Sequence, residues 1–366
     1  MDCNNEYFTS YEDLEIHRLM LDDSSRTETY RMAIDNNKEY FRNRVVMDVG
    51  CGTGILSLFC AQAGAKKVYA VEASNIAIIA KEIIKENGFE NVVEVIQGKV
   101  EDIELPNNIK VDAIVSEWMG FYLLHEGMLN SVLAARDKFL KNGGEMFPES
   151  ATMYVAPCSV PSLYHKWKEF HGVSMGAFAK YLRMEKHNKP EIMQVQSEDL
   201  LGDKVSFGWI NLKEDNVTDL QTFKIEHVVG VNRNGKYQGL CIWFDCTFPQ
   251  LSEEFEQIVL STSPQSPSTH WKQTVILLPE EQDVEDGEPI AFQLDMFRDN
   301  LNERRYNIQV SLLDPNEVEH PVPCSCDMTK CILTKAFIMQ QVEQPVQKIT
   351  HEENSNNILE YDDIDD

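Results

Sequence analysis

The sequence predicts an α/β protein in which a doubly wound parallel sheet is followed by an antiparallel sandwich or barrel. Strands alternate with helices from about residue 44 to residue 140, which is the order of elements in a parallel sheet covered on both faces. After Phe147-Pro148, short strands separated by turn residues replace this alternation. With 366 residues, the chain is long enough for about two domains.

The parallel part follows an amphipathic helix predicted for residues 28–42. In sheets of this kind, ligands bind beyond the carboxyl ends of the strands. The loops between Gly50 and Glu126 that follow strands are therefore expected to share one edge of the sheet. The predicted strands are 44–49, 67–72, 92–96 and 111–115, and the predicted helices are 55–63, 76–84 and 127–140.

The second part of the chain contains an insertion at about 159–190 between its first two predicted strands. This insertion has helical character and carries several aromatic residues, so it either covers the barrel or docks as an arm on another subunit. Beyond about residue 345 the chain becomes polar and acidic, which predicts a disordered tail. The predicted strands are 152–155, 222–228, 240–248, 257–261, 273–278, 290–295 and 306–312.

The net charge of −27 bears on possible partners. An acidic body repels phosphate backbones, so direct binding of nucleic acid is disfavoured, whereas a basic peptide is a suitable partner. The charge is equally consistent with a role in solubility alone. No apolar run approaches the roughly 20 residues that a membrane-spanning helix needs, so no membrane association is predicted.

The nine cysteines indicate a reducing compartment, because the polar N-terminus carries no export signal and no paired Cys-x-x-Cys spacing occurs. We therefore predict a cytoplasmic or nuclear protein with reduced thiols. Cys324, Cys326 and Cys331 are close in sequence, but their spacing differs from that of common zinc sites. The sequence-based interpretation is that these are thiols at strand ends and that the protein holds no metal.

A glycine-rich loop, Gly50-Cys51-Gly52-Thr53-Gly54, connects the first strand to the following helix and allows the backbone to approach a ligand closely. Its third glycine comes one residue earlier than in the dinucleotide fingerprint. Asp48 precedes the loop, where its charge would suit an ammonium group better than a pyrophosphate. Glu72 ends the next strand, where a carboxylate can accept both ribose hydroxyls. These features favour S-adenosylmethionine over NAD.

Glu117 and Glu126 are two acids in the mostly apolar segment that follows the fourth strand. Burial of ionised carboxylates is costly without compensation, so a nearby pair predicts a cationic ligand. A guanidinium fits because its forked donors match carboxylates. The alternative is structural, with Glu117 ending a strand and Glu126 beginning a solvated helix.

Together these residues resemble the type I protein arginine methyltransferases, which form asymmetric dimethylarginine, and the resemblance extends from Tyr7 to Lys335. The matching motifs are the N-terminal Tyr7-Phe8-Thr9-Ser10-Tyr11, the loop 46–54, the double-glutamate loop 116–126, and Ser268-Thr269-His270-Trp271.

The resemblance implies a class I methyltransferase domain of the seven-stranded, Rossmann-like type, then a β-barrel with a helical dimerisation arm, in a homodimer. The implied divisions are an N-terminal segment that closes over the cofactor (1–42), the cofactor-binding domain (43–147), the barrel (148–345, arm about 159–190) and the acidic tail (346–366).

The resemblance also implies the roles of individual side chains. Glu117, Glu126 and His270 would be catalytic, with His270 paired to an acid near Asp23, and Arg26 would hold the methionine carboxylate. Tyr11, Met20, Met128 and Trp271 would contact the substrate. The implied cofactor contacts are His17, Met20, Arg26, Asp48, Gly50, Gly52, Glu72, Val100 and Glu101.

The expected activity is transfer of methyl groups to arginine in basic proteins such as histones or Gly-Arg-rich RNA-binding proteins. Three rival functions share parts of the sequence pattern: a small-molecule methyltransferase, a non-enzymatic scaffold and a dinucleotide oxidoreductase. The sequence leaves open whether a glutamate or His270 with Asp23 accepts the proton.

Overall fold

A parallel sheet and two antiparallel sheets form the framework of the molecule. The computed structural model describes residues 11–160, 163, 167, 169–186 and 189–343. Most of the N-terminal motif that begins at Tyr7, part of the predicted arm and the predicted acidic tail lie outside these residues. Within them, the order of elements agrees with the predicted fold class: helices, a parallel α/β domain and an antiparallel domain.

The N-terminal segment forms three helices, α1 (Leu14–Asp22), α2 (Ser24–Asn36) and α3 (Lys38–Phe41). Asp13 caps α1 by accepting a hydrogen bond from the Glu15 N–H, and Asp23 caps α2 by accepting one from the Arg26 N–H. The predicted helix 28–42 is thus interrupted at Asn37, whose side chain donates to the carbonyls of Ala33 and Pro249.

The parallel sheet has five described strands in the order β3-β2-β1-β4-β5, with β1 at the centre. The chain leaves this sheet after Phe147 and enters the antiparallel domain directly. Strand β5 was not predicted, because its Lys141-Asn142-Gly143-Gly144 segment has the composition of a turn. The elements are β1 (Val45–Val49), α4 (Ile55–Gln62), β2 (Lys67–Glu72), α5 (Ile76–Glu86), β3 (Val93–Gln97), β4 (Val111–Val115), α6 (Leu129–Phe139) and β5 (Leu140–Phe147).

The antiparallel domain consists of two sheets. One has the order β7-β12-β10-β6-β8, with β11 paired to β10, and the other has the order β14-β13-β9. Strands β7 and β8 were not predicted. The strands are β6 (Ser150–Cys158), β7 (Pro190–Met193), β8 (Val205–Asn211), β9 (Thr222–Gly230), β10 (Gly235–Thr247), β11 (Val259–Ser261), β12 (Gln273–Val284), β13 (Pro289–Arg298) and β14 (Tyr306–Leu313).

One hydrophobic core extends from the N-terminal helices through the parallel sheet into the antiparallel domain. The Phe41 and Phe147 rings lie 4.9 Å apart, and the Tyr30 and Phe248 rings are equally close and meet edge to face. The Tyr30 hydroxyl also donates to the Ser116 carbonyl at 2.9 Å. These contacts fix the N-terminal helices against the loop that follows β4.

Two further helices lie at the periphery. Helix α7 (Gly176–Lys186) belongs to the predicted arm and has no buried residue; Phe178 and Tyr181 are 45% and 71% exposed. Helix α8 (Thr329–Glu343) follows β14 after a long loop. No helix among the described residues combines the length and apolar character needed to cross a bilayer.

Candidate active site

A cavity of about 310 Å³ lies between the N-terminal helices, the carboxyl edge of the parallel sheet and the loop at His270. Its lining is largely apolar with a few charged groups, as is usual for small-molecule sites. With one exception, Asp48, the site residues predicted from the sequence line this cavity. They are Tyr11, His17, Met20, Arg26, Gly50, Gly52, Glu72, Val100, Glu101, Glu117, Glu126, Met128, His270 and Trp271.

Asp48 lies beneath the glycine-rich loop, where it is fully buried and does not line the cavity. The structure therefore does not place Asp48 on the cavity wall with the other predicted residues, and its contact with a cofactor stays a prediction. Its Oδ2 accepts a hydrogen bond from the Ser57 hydroxyl at 2.7 Å, which links β1 to α4. Burial raises the pKa of Asp48 to about 7. Asp48 thus holds together the strand and the helix that flank the glycine-rich loop.

The glycine-rich loop requires glycine because Gly50, Gly52 and Gly54 have φ angles of 71°, 52° and 85°. A Cβ at Gly50 would lie 2.2 Å from the Met128 Cε, so a side chain there would crowd the cavity. The Gly52 N–H donates to the Glu72 Oε2 at 2.9 Å. The loop is thereby joined to the end of β2.

Glu72 accepts a second backbone hydrogen bond from the Ser74 N–H at 2.8 Å, this time through Oε1. Each carboxylate oxygen has two lone pairs, so both retain capacity for a further donor. The side chain is therefore held rigidly with acceptors available to the cavity. This arrangement fits recognition of paired hydroxyl groups.

Glu117 binds a guanidinium that belongs to the chain itself. The Arg26 Nε and Nη2 lie 2.9 and 2.8 Å from the Glu117 Oε2, and both side chains are almost fully buried. The Glu117 Oε1 accepts the Met119 N–H at 3.2 Å. The family resemblance implies that Arg26 pairs with a cofactor carboxylate, which stays a prediction; in this structure the Arg26 side chain contacts Glu117.

Glu126 lines the same cavity as Glu117 and has a left-handed backbone conformation with φ of 77°. Its Oε2 accepts the Tyr11 hydroxyl at 2.5 Å. Burial raises the pKa of Glu126, and the negative charge of Glu117 adds to this rise although the Tyr11 hydroxyl opposes it. A cation bound beside Glu126 would therefore stabilise the ionised form of its carboxylate.

Arg304 holds the backbone of Glu126 and was not predicted from the sequence. The Glu126 N–H donates to the Arg304 carbonyl at 2.8 Å, and the Arg304 Nη1 donates to the Glu126 carbonyl at 2.6 Å. Arg304 lies between β13 and β14, far from any site motif. The antiparallel domain therefore stabilises the conformation of a residue in the parallel domain.

His270 and Asp23 form the predicted pair. The His270 Nδ1 lies 2.7 Å from the Asp23 Oδ2, which also accepts the His270 N–H at 2.8 Å. Burial alone would raise the pKa of Asp23, but hydrogen bonds from His270 and Arg26 lower it below its usual value. The neighbouring Trp271 donates from Nε1 to the Met119 carbonyl at 2.8 Å. This loop is thereby fixed beside Glu117.

The remaining predicted residues close the ends of the cavity. The His17 Nε2 donates to the Tyr11 carbonyl at 2.8 Å, which holds α1 against the segment before it. Val100 and Glu101 follow β3, and Glu101 accepts the Ser131 hydroxyl at 2.5 Å. Ser131 lines the same cavity and was not predicted, because an isolated serine in a helix gives no sequence signal.

A parallel sheet with a ligand cavity beyond the carboxyl ends of its strands is common to several classes of α/β enzyme, and comparison with known families identifies this one as a methyltransferase domain. A family model described as "Methyltransferase domain" matches residues 46–144. A second model, described as "Arginine methyltransferase oligomerization subdomain", matches residues 149–313. The two matches divide the chain where the parallel sheet passes into the antiparallel domain.

Comparison with known proteins establishes the family. The chain is 41% identical to protein arginine N-methyltransferase 6 of Danio rerio over 329 residues, covering 86% of this chain and 90% of the relative. It is 40% identical to protein arginine N-methyltransferase 1 of Caenorhabditis elegans over 320 residues, covering 85% and 89%. The chain therefore belongs to the protein arginine N-methyltransferase family.

Solved structures agree with this assignment. The Trypanosoma brucei PRMT1 enzyme–prozyme heterotetrameric complex with AdoHcy aligns with a TM-score of 0.74 at 35% identity, covering 85% of this chain and 98% of that chain. A crystal structure of PRMT6 with SAH aligns with a TM-score of 0.71 at 30% identity, covering 82% and 100%. The predicted fold class is thus confirmed.

Proposed function

We propose that this protein transfers methyl groups from S-adenosylmethionine to guanidino nitrogens of arginine in proteins, giving monomethylarginine and asymmetric dimethylarginine. The observation that carries the proposal is the pair of glutamates in one cavity. Glu117 already binds the guanidinium of Arg26, and Glu126 lies nearby with a pKa raised by burial. A site of this kind has the charge and the donor–acceptor pattern to accept a second guanidinium.

The residues at the other end of the cavity fit the proposed cofactor. S-adenosylmethionine supplies a methyl group bonded to a positively charged sulfur. Glu72 offers acceptors that suit ribose hydroxyls, and the glycine-rich loop leaves room for close approach of a ligand. Arg26 lines the same space, so donors that Glu117 does not engage can reach a ligand carboxylate.

The protein would promote the reaction by holding the negative charges of two carboxylates beside the substrate guanidinium. A guanidinium stays protonated at neutral pH, with a pKa above roughly 12, and its delocalised electrons make it a poor nucleophile. Glu117 and Glu126 would draw the positive charge toward the nitrogens that they contact and orient the remaining nitrogen toward the methyl group. The reacting nitrogen would gain the methyl group as the bond from that methyl carbon to sulfur breaks, which leaves a neutral thioether, and the nitrogen would lose one proton.

Two groups are suited to accept that proton. Glu126 has a raised pKa, which favours protonation. His270 is held by Asp23 at 2.7 Å in the same cavity. A pH–rate profile of His270→Asn compared with that of Glu126→Gln would separate them, because only the variant that lacks the true acceptor should lose the ionisation of that group from its profile.

Formation of asymmetric rather than symmetric dimethylarginine is part of the proposal. It is supported by the combination of Met20 and His270 at the cavity wall, which resembles the type I pattern. A basic substrate, such as a histone tail or a Gly-Arg-rich segment of an RNA-binding protein, suits the net charge of −27. These substrates imply a nuclear or cytoplasmic protein and a role in chromatin regulation.

A homodimer is the proposed assembly. Its support is the match of residues 149–313 to an oligomerization subdomain and the exposed aromatic side chains of α7. Sedimentation at several concentrations would test it. Phe178→Ser together with Tyr181→Ser should give a monomer, and a dimer that persists in this variant would contradict the role of α7.

The activity is tested by product analysis. The protein is incubated with S-adenosylmethionine and a panel of arginine-rich peptides, and the hydrolysed products are separated into monomethyl, asymmetric and symmetric dimethylarginine. Asymmetric product supports the proposal, whereas symmetric product would contradict the type I assignment. Peptides with lysine in place of every arginine serve as the control. Cofactor binding without any product would favour a scaffold.

A further inference from the structure

A cluster of His320, Cys324, Cys326 and Cys331 lies outside the catalytic cavity, and none of its members lines that cavity. The four potential ligand atoms all lie within 4.8 Å of one another. The His320 Nδ1 is 3.4 Å from the sulfurs of Cys324 and Cys326 and 3.1 Å from that of Cys331. We call this group the Cys3His cluster.

The geometry differs from the sequence-based interpretation of these cysteines. Cys324 and Cys326 lie in the loop between β14 and α8, and Cys331 lies in the first turns of α8, so none is at a strand end. His320 could not be predicted to join them, because the spacing of the four residues matches no common zinc motif. Folding of the loop brings them together.

The orientation of the His320 ring leaves its Nδ1 atom available to bind a metal ion. Its Nε2 lies 2.8 Å from the Pro315 carbonyl, and a carbonyl can only accept, so the proton is on Nε2. The Nδ1 lone pair therefore faces the three sulfur atoms. Histidines that bind a metal through one ring nitrogen usually donate a hydrogen bond from the other nitrogen to a carbonyl or carboxylate, as His320 does here.

The distances between ligand atoms fit a small tetrahedral ion. Zn–S bonds of about 2.3 Å and Zn–N bonds of about 2.0–2.1 Å place tetrahedral ligand atoms roughly 3.5–3.8 Å apart. The sulfurs of Cys324 and Cys326 are 3.3 Å apart, and the nitrogen–sulfur distances are 3.1–3.4 Å. For these four pairs, an outward movement of a few tenths of an ångström would give the tetrahedral distances.

Burial also distinguishes the Cys3His cluster from reactive thiols. Cys324, Cys326 and Cys331 are 3%, 0% and 4% exposed and are covered by Met328. A single disulfide would use two of the three thiols and leave the third beside it. Binding to one ion uses all three thiols and the histidine.

The Cys3His cluster connects α8 to the antiparallel domain. The Ser325 hydroxyl accepts the Gly230 N–H at 2.8 Å, and the Asp327 N–H donates to the Gly287 carbonyl at 2.8 Å. A Cβ at Gly230 would lie 2.4 Å from the Ser325 carbonyl carbon, so the loop packs directly on backbone. An ion bound here would hold the start of α8 against the ends of the strands.

We propose that His320, Cys324, Cys326 and Cys331 bind one Zn²⁺ ion as a closed structural site. Three thiolates and one imidazole form a donor set that selects Zn²⁺ over the harder Mg²⁺ and Ca²⁺. All four positions are filled by protein, which leaves none for a substrate or a water. The ion stabilises the junction between the loop and α8 and takes no part in methyl transfer.

The test is the metal content of the full-length protein. The protein is produced with zinc supplementation and purified without chelators, and its zinc content is measured by inductively coupled plasma mass spectrometry. We expect about one zinc ion per chain. Cys324→Ala and Cys331→Ala should lose most of it, whereas Cys241→Ala, which removes a buried thiol of β10, should retain it.

A second measurement covers the possibility that these variants fail to fold. The wild-type protein loaded with Co²⁺ should show the visible absorption of tetrahedral cobalt thiolate, and Zn²⁺ should abolish it. Chelation should increase proteolysis within α8. Wild-type protein that contains no zinc and gives no cobalt spectrum would overturn the proposal, as would mapping of proteolytic peptides that shows Cys324 and Cys326 joined in a disulfide.

Discussion

Replacement of Glu126 by glutamine tests the proposed guanidinium site most directly. The substitution preserves the size of the side chain and its ability to accept the Tyr11 hydroxyl, which lies 2.5 Å from Oε2. It removes the negative charge. The backbone contacts with Arg304 do not involve the side chain of Glu126, so the conformation of the loop should persist.

The expected magnitude follows from the burial of the site. Breaking a fully buried ion pair costs about 3–5 kcal/mol. Glu126 is only partly buried, so the lower end applies, and about 3 kcal/mol corresponds to a loss of about 10²-fold in kcat/KM. Because Glu72 and the glycine-rich loop are untouched, affinity for the cofactor should be nearly unchanged.

The assay measures kcat/KM for an arginine peptide at saturating S-adenosylmethionine, and calorimetry measures binding of S-adenosylhomocysteine. Glu149→Gln is the matched control, because Glu149 is also half-buried but lies outside the cavity. A loss smaller than about fivefold, or about 1 kcal/mol, in folded Glu126→Gln would refute the role assigned to this carboxylate.

Three further predictions, which use four substitutions, concern the supports of the site. Gly50→Ala and Gly88→Ala both place a side chain at positive φ, so each should lose about 1–2 kcal/mol of stability in urea unfolding, but only the first should weaken cofactor binding, since nothing lies within 4 Å of a Cβ at Gly88. Asp23→Asn keeps a capping group for α2 but removes the charge that orients His270; a loss of about 10- to 100-fold in kcat is expected, and unchanged kcat would contradict this. Burial raises the pKa of Asp48 to about 7. Ionisation of Asp48 therefore costs the folded state stability as pH rises from its unfolded pKa of about 3.9 to about 7. Asp48→Asn should remove this loss, so unfolding at about pH 5 and 8 should show a smaller decrease than in the wild type, and an equal decrease would show that Asp48 does not cause it.

The parallel sheet was largely predictable because its central strands are short, mostly apolar segments rich in valine. Strands β2 and β4 coincide with their predicted bounds, 67–72 and 111–115. The missed strand, β5, contains Gly143 and Gly144 and gains its conformation by pairing with β4. A Cβ at Gly144 would lie 2.8 Å from the Asp112 carbonyl, so the glycine reflects close strand packing that local sequence does not reveal.

The site was predictable where a motif follows a strand, since the topology of a parallel sheet then brings the motifs together. Arg304 was missed for the opposite reason. It is close to Glu126 only because the turn between β13 and β14 reaches back to the parallel domain. The Cys3His cluster depends likewise on the path of a loop, which places His320 beside Cys331.

The pairing of Arg26 with Glu117 explains how the cavity can hold two carboxylates before a substrate enters. Arg26 compensates the charge of Glu117, and the resulting pair is nearly fully buried. Glu126 instead accepts a neutral hydroxyl, and burial raises its pKa. The charge of Arg304 lowers the pKa of Glu126 only in part. An arriving guanidinium would form an ion pair with Glu126 directly, and it would use the Glu117 oxygen that Arg26 leaves less occupied. The two glutamates therefore differ in their roles. Glu117 is paired with an arginine of the chain, and Glu126 is the carboxylate whose ionisation the substrate would favour.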